Sequence, residues 1–450
     1  MNQVQIIADV VSVRLMYACH IAFTCIGRLG YNLTLMGNPH PDAEITIYYT
    51  AQKPIDNPNA RWIKPNGLLA RQDVPEVSIE KGISPFNEPV IFAHNENDLL
   101  GYDVFAAIFY MASRYEEYLP CKTDEFGRFR ERDSTSGKYG FTQQPVVHLW
   151  VKALFKKLFA GHAIVALMPQ RPAALFTYDI DVAYAFRGRS LALQIAGFGK
   201  DVVQGRWRHA GLRLLGLGGL RFDPSDTYNY ICNHPFSRHF FFLLATQKTP
   251  FDRNLPPDSP VLRQLISLLA AHENTGIHPS YYSNDSPRLV GREKAVLEKI
   301  TGKAVVHSRQ HYLRLKLPDT YRQLIKAGIQ HDFSMQYPEI PGFRAGMAVP
   351  FPFFDVEANS PTPLILHPGC IMETTFRDDL KIPAAECWPQ YLQMWQAVQS
   401  VGGNFISIWH NDTLWDNLPD AHPLAFRQIH QKLVSTLLHQ KAAIYPGYEQ

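Results

Sequence analysis

Beyond Pro172 the chain alternates short apolar runs with helical stretches, and this alternation constrains the fold more than any other feature. Strand-like runs start at Ala173, Phe240, Thr275, Ala304, Gly328, Leu364 and Phe405. Helical spacing is readable over 261–273, 288–300, 318–326, 385–400 and 423–439. Strands alternating with helices in this way imply a parallel sheet covered by helices. Seven such units predict an α/β fold built as a distorted, seven-stranded β/α barrel. A barrel delivers the C-terminal end of every strand to one face. The runs here end in acids and imidazoles: Asp179 and Asp181, His278, His307 with Arg309, His367, and His410. A site made of carboxylates and imidazoles is the expectation.

The part before this alternation reads as a smaller α/β unit over 1–165, leaving 166–450 for the barrel. Residues 44–49 alternate like a strand and 89–93 form a second apolar run. A helix is expected over 103–118, a polar surface loop over 120–144 and a helix over 146–159. Two units suit a chain of 450 residues that is 46% hydrophobic.

A net charge of +3 provides no global basic field, so nucleic acid is not an expected partner. The six cysteines have no CxxC spacing, which fits reduced thiols rather than a zinc-thiolate site. Met1 to Arg14 lacks the pattern of a secretion signal, and apolar runs stop short of the roughly 18 to 20 residues of a spanning helix. A cytoplasmic protein without a transmembrane segment is expected.

Several strings carry a more specific signal when taken together and in order: Thr177-Tyr178-Asp179-Ile180-Asp181, Gly276-Ile277-His278-Pro279-Ser280-Tyr281, Ser308-Arg309-Gln310-His311, Asp332-Phe333-Ser334, Leu364-Ile365-Leu366-His367 and Trp409-His410-Asn411-Asp412. From about Ala173 to Leu414 they resemble the polysaccharide deacetylase family, carbohydrate esterase family 4. The likeness is to a branch with an N-terminal α/β domain of unknown function. It implies a NodB-like barrel that binds one divalent metal, zinc first and iron, cobalt or nickel as alternatives. By the match Asp179 is the general base and Asp181 a metal ligand, with one more residue between the acids than the family's Thr-Phe-Asp-Asp has. His278 matches the first metal-binding imidazole, and Tyr282 stands where the second is expected. His311 is then the leading substitute ligand and His410 a further candidate. Arg309 corresponds to the arginine that holds the base, and His367 to the acid. Tyr282, Arg344 and Asp332 are assigned to substrate.

Blander roles remain open at some of these positions. The Asp179 and Asp181 pair could be turn chemistry, Asp332 a loop cap, His307 a packed strand residue and Arg344 a solvated loop arginine. The function implied is a metal-dependent hydrolase that removes acetyl groups from an N- or O-acetylated glycan or sugar precursor. The alternatives are a non-catalytic glycan-binding protein on the same scaffold and a hydrolase of another non-peptide C–N bond.

An insertion at about 187–234 mixes arginines with leucines and Trp207. It is expected to form a lid whose apolar residues are absorbed by the barrel rim. Over 187–221 the same composition suits peripheral contact with an anionic membrane.

Overall fold

A computed structural model describes residues 4–36, 43–54, 60–160, 171–217, 223–247, 249–415 and 423–446. The expected boundary at 165/166 lies outside the described residues, as does the 218–222 part of the insertion. The fold is mixed α/β. No helix among the described residues is long and apolar enough to cross a membrane.

The N-terminal region carries four parallel strands, β1 (Val4–Ala8), β2 (Tyr31–Leu35), β3 (Ile45–Tyr49) and β4 (Arg61–Ile63), in the order β2-β1-β3-β4. Helix α1 (Val13–Cys19) starts at Ser12, whose Oγ accepts the Leu15 N–H at 3.0 Å. Helix α2 (Val104–Ala112) is capped by Asp103 and buried along its whole length. The single helix expected over 103–118 is broken, because Arg114 turns left-handed (φ 56°) and the chain continues as the 3₁₀ turn Tyr115–Tyr118. Helix α3 (Val146–Leu158) lies where periodicity put it.

The second sheet contains β5 (Ala173–Ile180), β6 (Ser237–Leu243), β7 (Asn274–His278), β8 (His307–Ser308), β9 (His331–Asp332), β10 (Phe351–Asp355), β11 (Ser360–Leu366), β12 (Ile371–Met372), β13 (Asn404–His410) and β14 (Ala443–Ile444). The order is β10-β11-β9-β8-β7-β6-β5-β13-β12, with β14 also pairing β5. All seven expected strands are present and mutually parallel, but the described sheet has ten strands, not seven. The three extra strands gave little signal. Two have only two residues, and β10 carries Pro352 beside an irregularity in its antiparallel ladder. No ladder among the described residues links β12 back to β10 or β11.

Strand β5 is buried on both faces, as a central parallel strand should be. Its alternation separates two environments. Ala174, Phe176, Tyr178 and Ile180 join the main core under the helices. Ala173 and Leu175 instead meet Phe241, Phe333, Ile406 and Tyr445 on the inner face. Residues from β5, β6, β13 and the end of β9 therefore touch across the sheet, which requires strong curvature.

The N-terminal region is docked on the chain between about 336 and 359. Tyr17 donates to the Pro352 carbonyl at 2.8 Å and packs on Phe354. Arg14 reaches Asn359 at 2.8 Å. Arg344 and Arg114 both pair with the buried Glu117, Arg344 at 2.5 Å and Arg114 at 2.7 Å. A Cβ at Gly346 would stand 3.0 Å from Val146 and Val147, and its φ of +67° also favours glycine.

Candidate metal centre and catalytic groups

The inward alternation that places Leu175 and Thr177 also carries Asp179 and Asp181, while Ile180 is buried in the outer core. The extra residue between the acids therefore puts both carboxylates on one side. Asp179 is buried and accepts from Arg309 Nη1 at 2.8 Å, and Arg309 is itself fully buried over the Phe241 ring. Asp181 keeps about 25% of its side chain exposed, so the cluster can be reached from solvent.

Three imidazole Nε2 atoms face Asp181: His278 at 3.3 Å, His311 at 3.4 Å and His410 at 3.6 Å. Each ring is held from behind through Nδ1. The partners are the Arg309 carbonyl for His278 at 2.5 Å, Asp252 for His311 at 2.9 Å and Glu373 for His410 at 2.8 Å. Fixing Nδ1 in this way orients Nε2 and raises its basicity, the usual arrangement behind a metal-binding histidine. Ligand atoms of Asp181, His278 and His311 all lie within 4.8 Å of one another, and His410 falls outside that cluster. Asp181 Oδ1 is buried without a hydrogen-bond partner. An orphaned carboxylate oxygen beside two oriented Nε2 atoms is a donor set that fits one divalent cation.

The charges in the cluster are strongly coupled. Burial alone favours neutral rings, but Asp181 and Asp252 outweigh it and lift His311 to about 9. Glu373, with Asp181 and Asp179, does the same for His410, to about 10. Burial pushes the Asp181 carboxyl up, yet His311 and His278 hold it well below the usual range.

Local sequence explains the placement. A Cβ at Gly276 would meet the His307 carbonyl and the Phe241 ring at 2.8 Å, so glycine permits β7 to bring His278 this close to β8. After His278, Ser280 is fixed by the buried Glu293, which accepts from its Oγ at 2.5 Å and its N–H at 2.9 Å. Burial pushes Glu293 up to about 7. Tyr282 takes no place in the ligand cluster. It is exposed beside Phe251 and Tyr281, and His311 comes in from the next loop instead. Phe251, Tyr281 and Tyr312 form an aromatic wall next to His311. The N-terminal region extends it: Phe126 packs on Tyr312 at 5.1 Å, and Arg128 donates to the Tyr312 carbonyl at 3.1 Å.

Three of the expected site residues lie away from the cluster. His367 is turned into the interior: its ring nitrogens pair with His331 at 3.0 Å and the Tyr445 hydroxyl at 2.7 Å, and Phe333 stacks on its face. Burial, reinforced by His331 and His307, holds the ring well below the usual imidazole range, so near neutral pH it is uncharged and has no extra proton to deliver. Arg344, assigned to substrate from the sequence, is fully buried against Glu117. Asp332 is a buried cap that accepts from Ser308 Oγ at 2.8 Å and from Ser334 N–H and Oγ, each at 2.9 Å. His307, as a packed residue, lies against His239 and His331.

Sequence reasoning missed Asp252, Glu293 and Glu373. Glu373 follows the two-residue strand β12 and so obeys the strand-end rule, but that strand is too short to show periodicity. Asp252 and Glu293 lie in a loop and on a helix and left no pattern to find.

The profile of one family matches the chain, over residues 4–161, and its description is "Family of unknown function (DUF7033)". No curated protein matches. Among solved structures, the chain is similar to a proposed polysaccharide deacetylase from Mycobacterium smegmatis (14% identity, TM-score 0.33, covering 62% of this chain and 95% of that one). It is similar also to a polysaccharide deacetylase from Bacillus cereus (11%, 0.31, 62% and 95%). A third is an allantoinase (11%, 0.38, 62% and 88%).

Proposed function

We propose that this protein is a metal-dependent hydrolase that removes acetyl groups from an N- or O-acetylated glycan or sugar precursor. The observation that carries this reading is the buried Asp181 Oδ1, which makes no hydrogen bond and faces imidazoles that are each braced from behind. Asp181, His278 and His311 are the residues that would hold the metal. Bound there, a divalent cation would supply Lewis acidity toward an acyl carbonyl and toward water.

The chain's own groups then divide the proton work. Asp179, fixed by Arg309, takes a proton from the attacking water. Water oxygen bonds to the acyl carbon, the bond from that carbon to the sugar's nitrogen or oxygen breaks, and acetate leaves. His410 replaces His367 as proposed acid: Glu373 holds Nδ1, so Nε2 is the atom that delivers a proton to the departing group. Tyr282 and the wall of Phe251, Tyr281 and Tyr312 offer faces on which a sugar ring can stack.

Elemental mass spectrometry of the purified chain, beside Asp181→Ala and His278→Ala, tests the centre. Near-stoichiometric metal in the parent and none in either variant is expected, followed by acetate release from acetylated chito-oligosaccharides or acetylated xylan. Lack of metal after loading with zinc, cobalt or iron would sink the reading and leave a glycan-binding scaffold. Metal without acetate release would redirect the search to other C–N bonds.

A further inference from the structure

Helices α4 (Leu191–Val203) and α5 (Trp207–Leu217) pack on each other as a hairpin whose polarity is inverted. The residues that α4 buries are Gln194 and Asp201. Arg213 reaches both, each at 3.1 Å, and Arg206 pairs with Asp201 at 2.6 Å. The apolar residues point outward instead: Val203 is 87% exposed, Trp207 67%, Leu191 65% and Ile195 60%, with Leu193 and Leu214 also exposed. A lid that gave its apolar residues to the rim would show the opposite pattern.

Exposed apolar side chains on this scale mark a surface with a partner, and charge identifies which one. Residues 187–215 contain six arginines and lysines against one acid, Asp201, which Arg206 and Arg213 already neutralise. A second copy docked face to face would bring two stretches of the same positive sign together. An anionic lipid surface complements both features, attracting the basic residues and accepting the leucines and Trp207 at headgroup depth. At 13 and 11 residues the helices are too short to span a bilayer and suit lying in its interface.

We propose that the α4–α5 hairpin is a foot that docks the protein on an anionic membrane surface. It leaves the chain just after Asp181, from the end of β5 that bears the candidate site, so docking would bring that side of the sheet toward the bilayer. The inference stands whether or not the metal centre is hydrolytic.

The test is co-sedimentation of the full chain with phosphatidylcholine vesicles, with and without phosphatidylglycerol, beside analytical ultracentrifugation without lipid. The parent is expected to be monomeric alone, to sediment with anionic vesicles and to stay in solution with neutral ones. The double variant Ile195→Glu/Trp207→Glu should stay in solution while keeping the parent's melting temperature, and Lys200→Ala should weaken binding roughly fivefold. A parent that ignores anionic vesicles, or a folded double variant that binds as well as the parent, would overturn the proposal. So would a lipid-free dimer dispersed by the double variant, since the face would then belong to a second copy. Should the double variant unfold, the Lys200→Ala and neutral-vesicle arms decide: equal binding in both arms would overturn the proposal as well.

Discussion

Asp252→Asn isolates the contribution of a group that touches neither substrate nor metal. Asp252 Oδ1 pairs with His311 Nδ1 at 2.9 Å and accepts the Tyr281 N–H at 2.9 Å, and Oδ2 accepts from Thr249 at 2.7 Å. Asparagine can keep its carbonyl on His311 and Tyr281, but the Thr249 hydroxyl already accepts the Phe251 and Asp252 N–H groups, so its bond to position 252 is lost. The negative charge behind His311 is removed while the contact to that ring is kept. A hydrogen bond to a charged partner contributes about 1.5–3 kcal/mol net, and each 1.4 kcal/mol is roughly a factor of ten in Kd. Zinc affinity should therefore fall about 10–100-fold, in line with other carboxylates that brace a metal-bound histidine. Competition against a chromophoric chelator at fixed pH measures this directly, with Asp181→Asn as the reference for a lost ligand. An unchanged Kd in a variant whose melting temperature is preserved would refute the bracing role of Asp252.

His410→Gln should retain metal and lose about two to four decades of hydrolytic rate, whereas His367→Gln should cost stability with a smaller rate loss; the reverse ranking in initial-rate assays would restore His367 as the acid. Arg309→Met should leave metal content near the parent's and still depress the rate, because Asp179 loses the partner at 2.8 Å that fixes it; metal loss on the same scale as Asp181→Ala would contradict this. Arg344→Ala leaves Glu117 with one buried partner fewer and should cost about 3–5 kcal/mol, read as a large fall in melting temperature. His148 is buried, accepts the Ala348 N–H at 3.0 Å, and is lowered by burial to about 3. Its unfolded pKa is about 6.5, so between these values the unfolded chain holds a proton that the folded chain lacks, and stability drops on acidification. Roughly 2 kcal/mol should be lost from pH 7 to pH 5, and urea midpoints of His148→Gln should fall less steeply than the parent's; equal slopes would exclude His148 as the origin.

Much of this architecture is legible in the sequence because long parallel strands announce themselves. The run from Ala173 to Ile180 is apolar on both faces and ends in acids, so both its place in the sheet and the direction of its functional end can be read. The rest is hidden for a physical reason. Residue type and strand-end position do not say toward which side a ring or guanidinium turns. His367 and Arg344 have the right chemistry at legible positions, yet one bends toward Tyr445 and the other into Glu117. Asp252 and Glu373 act through hydrogen bonds between segments far apart in sequence, which periodicity does not register. His311 could be proposed only because Tyr282 occupied an expected imidazole position; spatial proximity, not motif spacing, brings it beside Asp181.

The contact of Phe126 and Arg128 with Tyr312 bears on how such a chain can change over time. Tyr312 adjoins His311, so a surface loop belonging to the N-terminal region supplies part of the wall beside the candidate metal centre. The segment that carries the larger sheet is therefore not a cassette to be lifted out and expressed alone. Excision would strip one side of the aromatic wall and strand Arg344 without its carboxylate. The shape of that wall can drift through substitutions near Phe126 while every side chain proposed to bind metal or move a proton stays fixed.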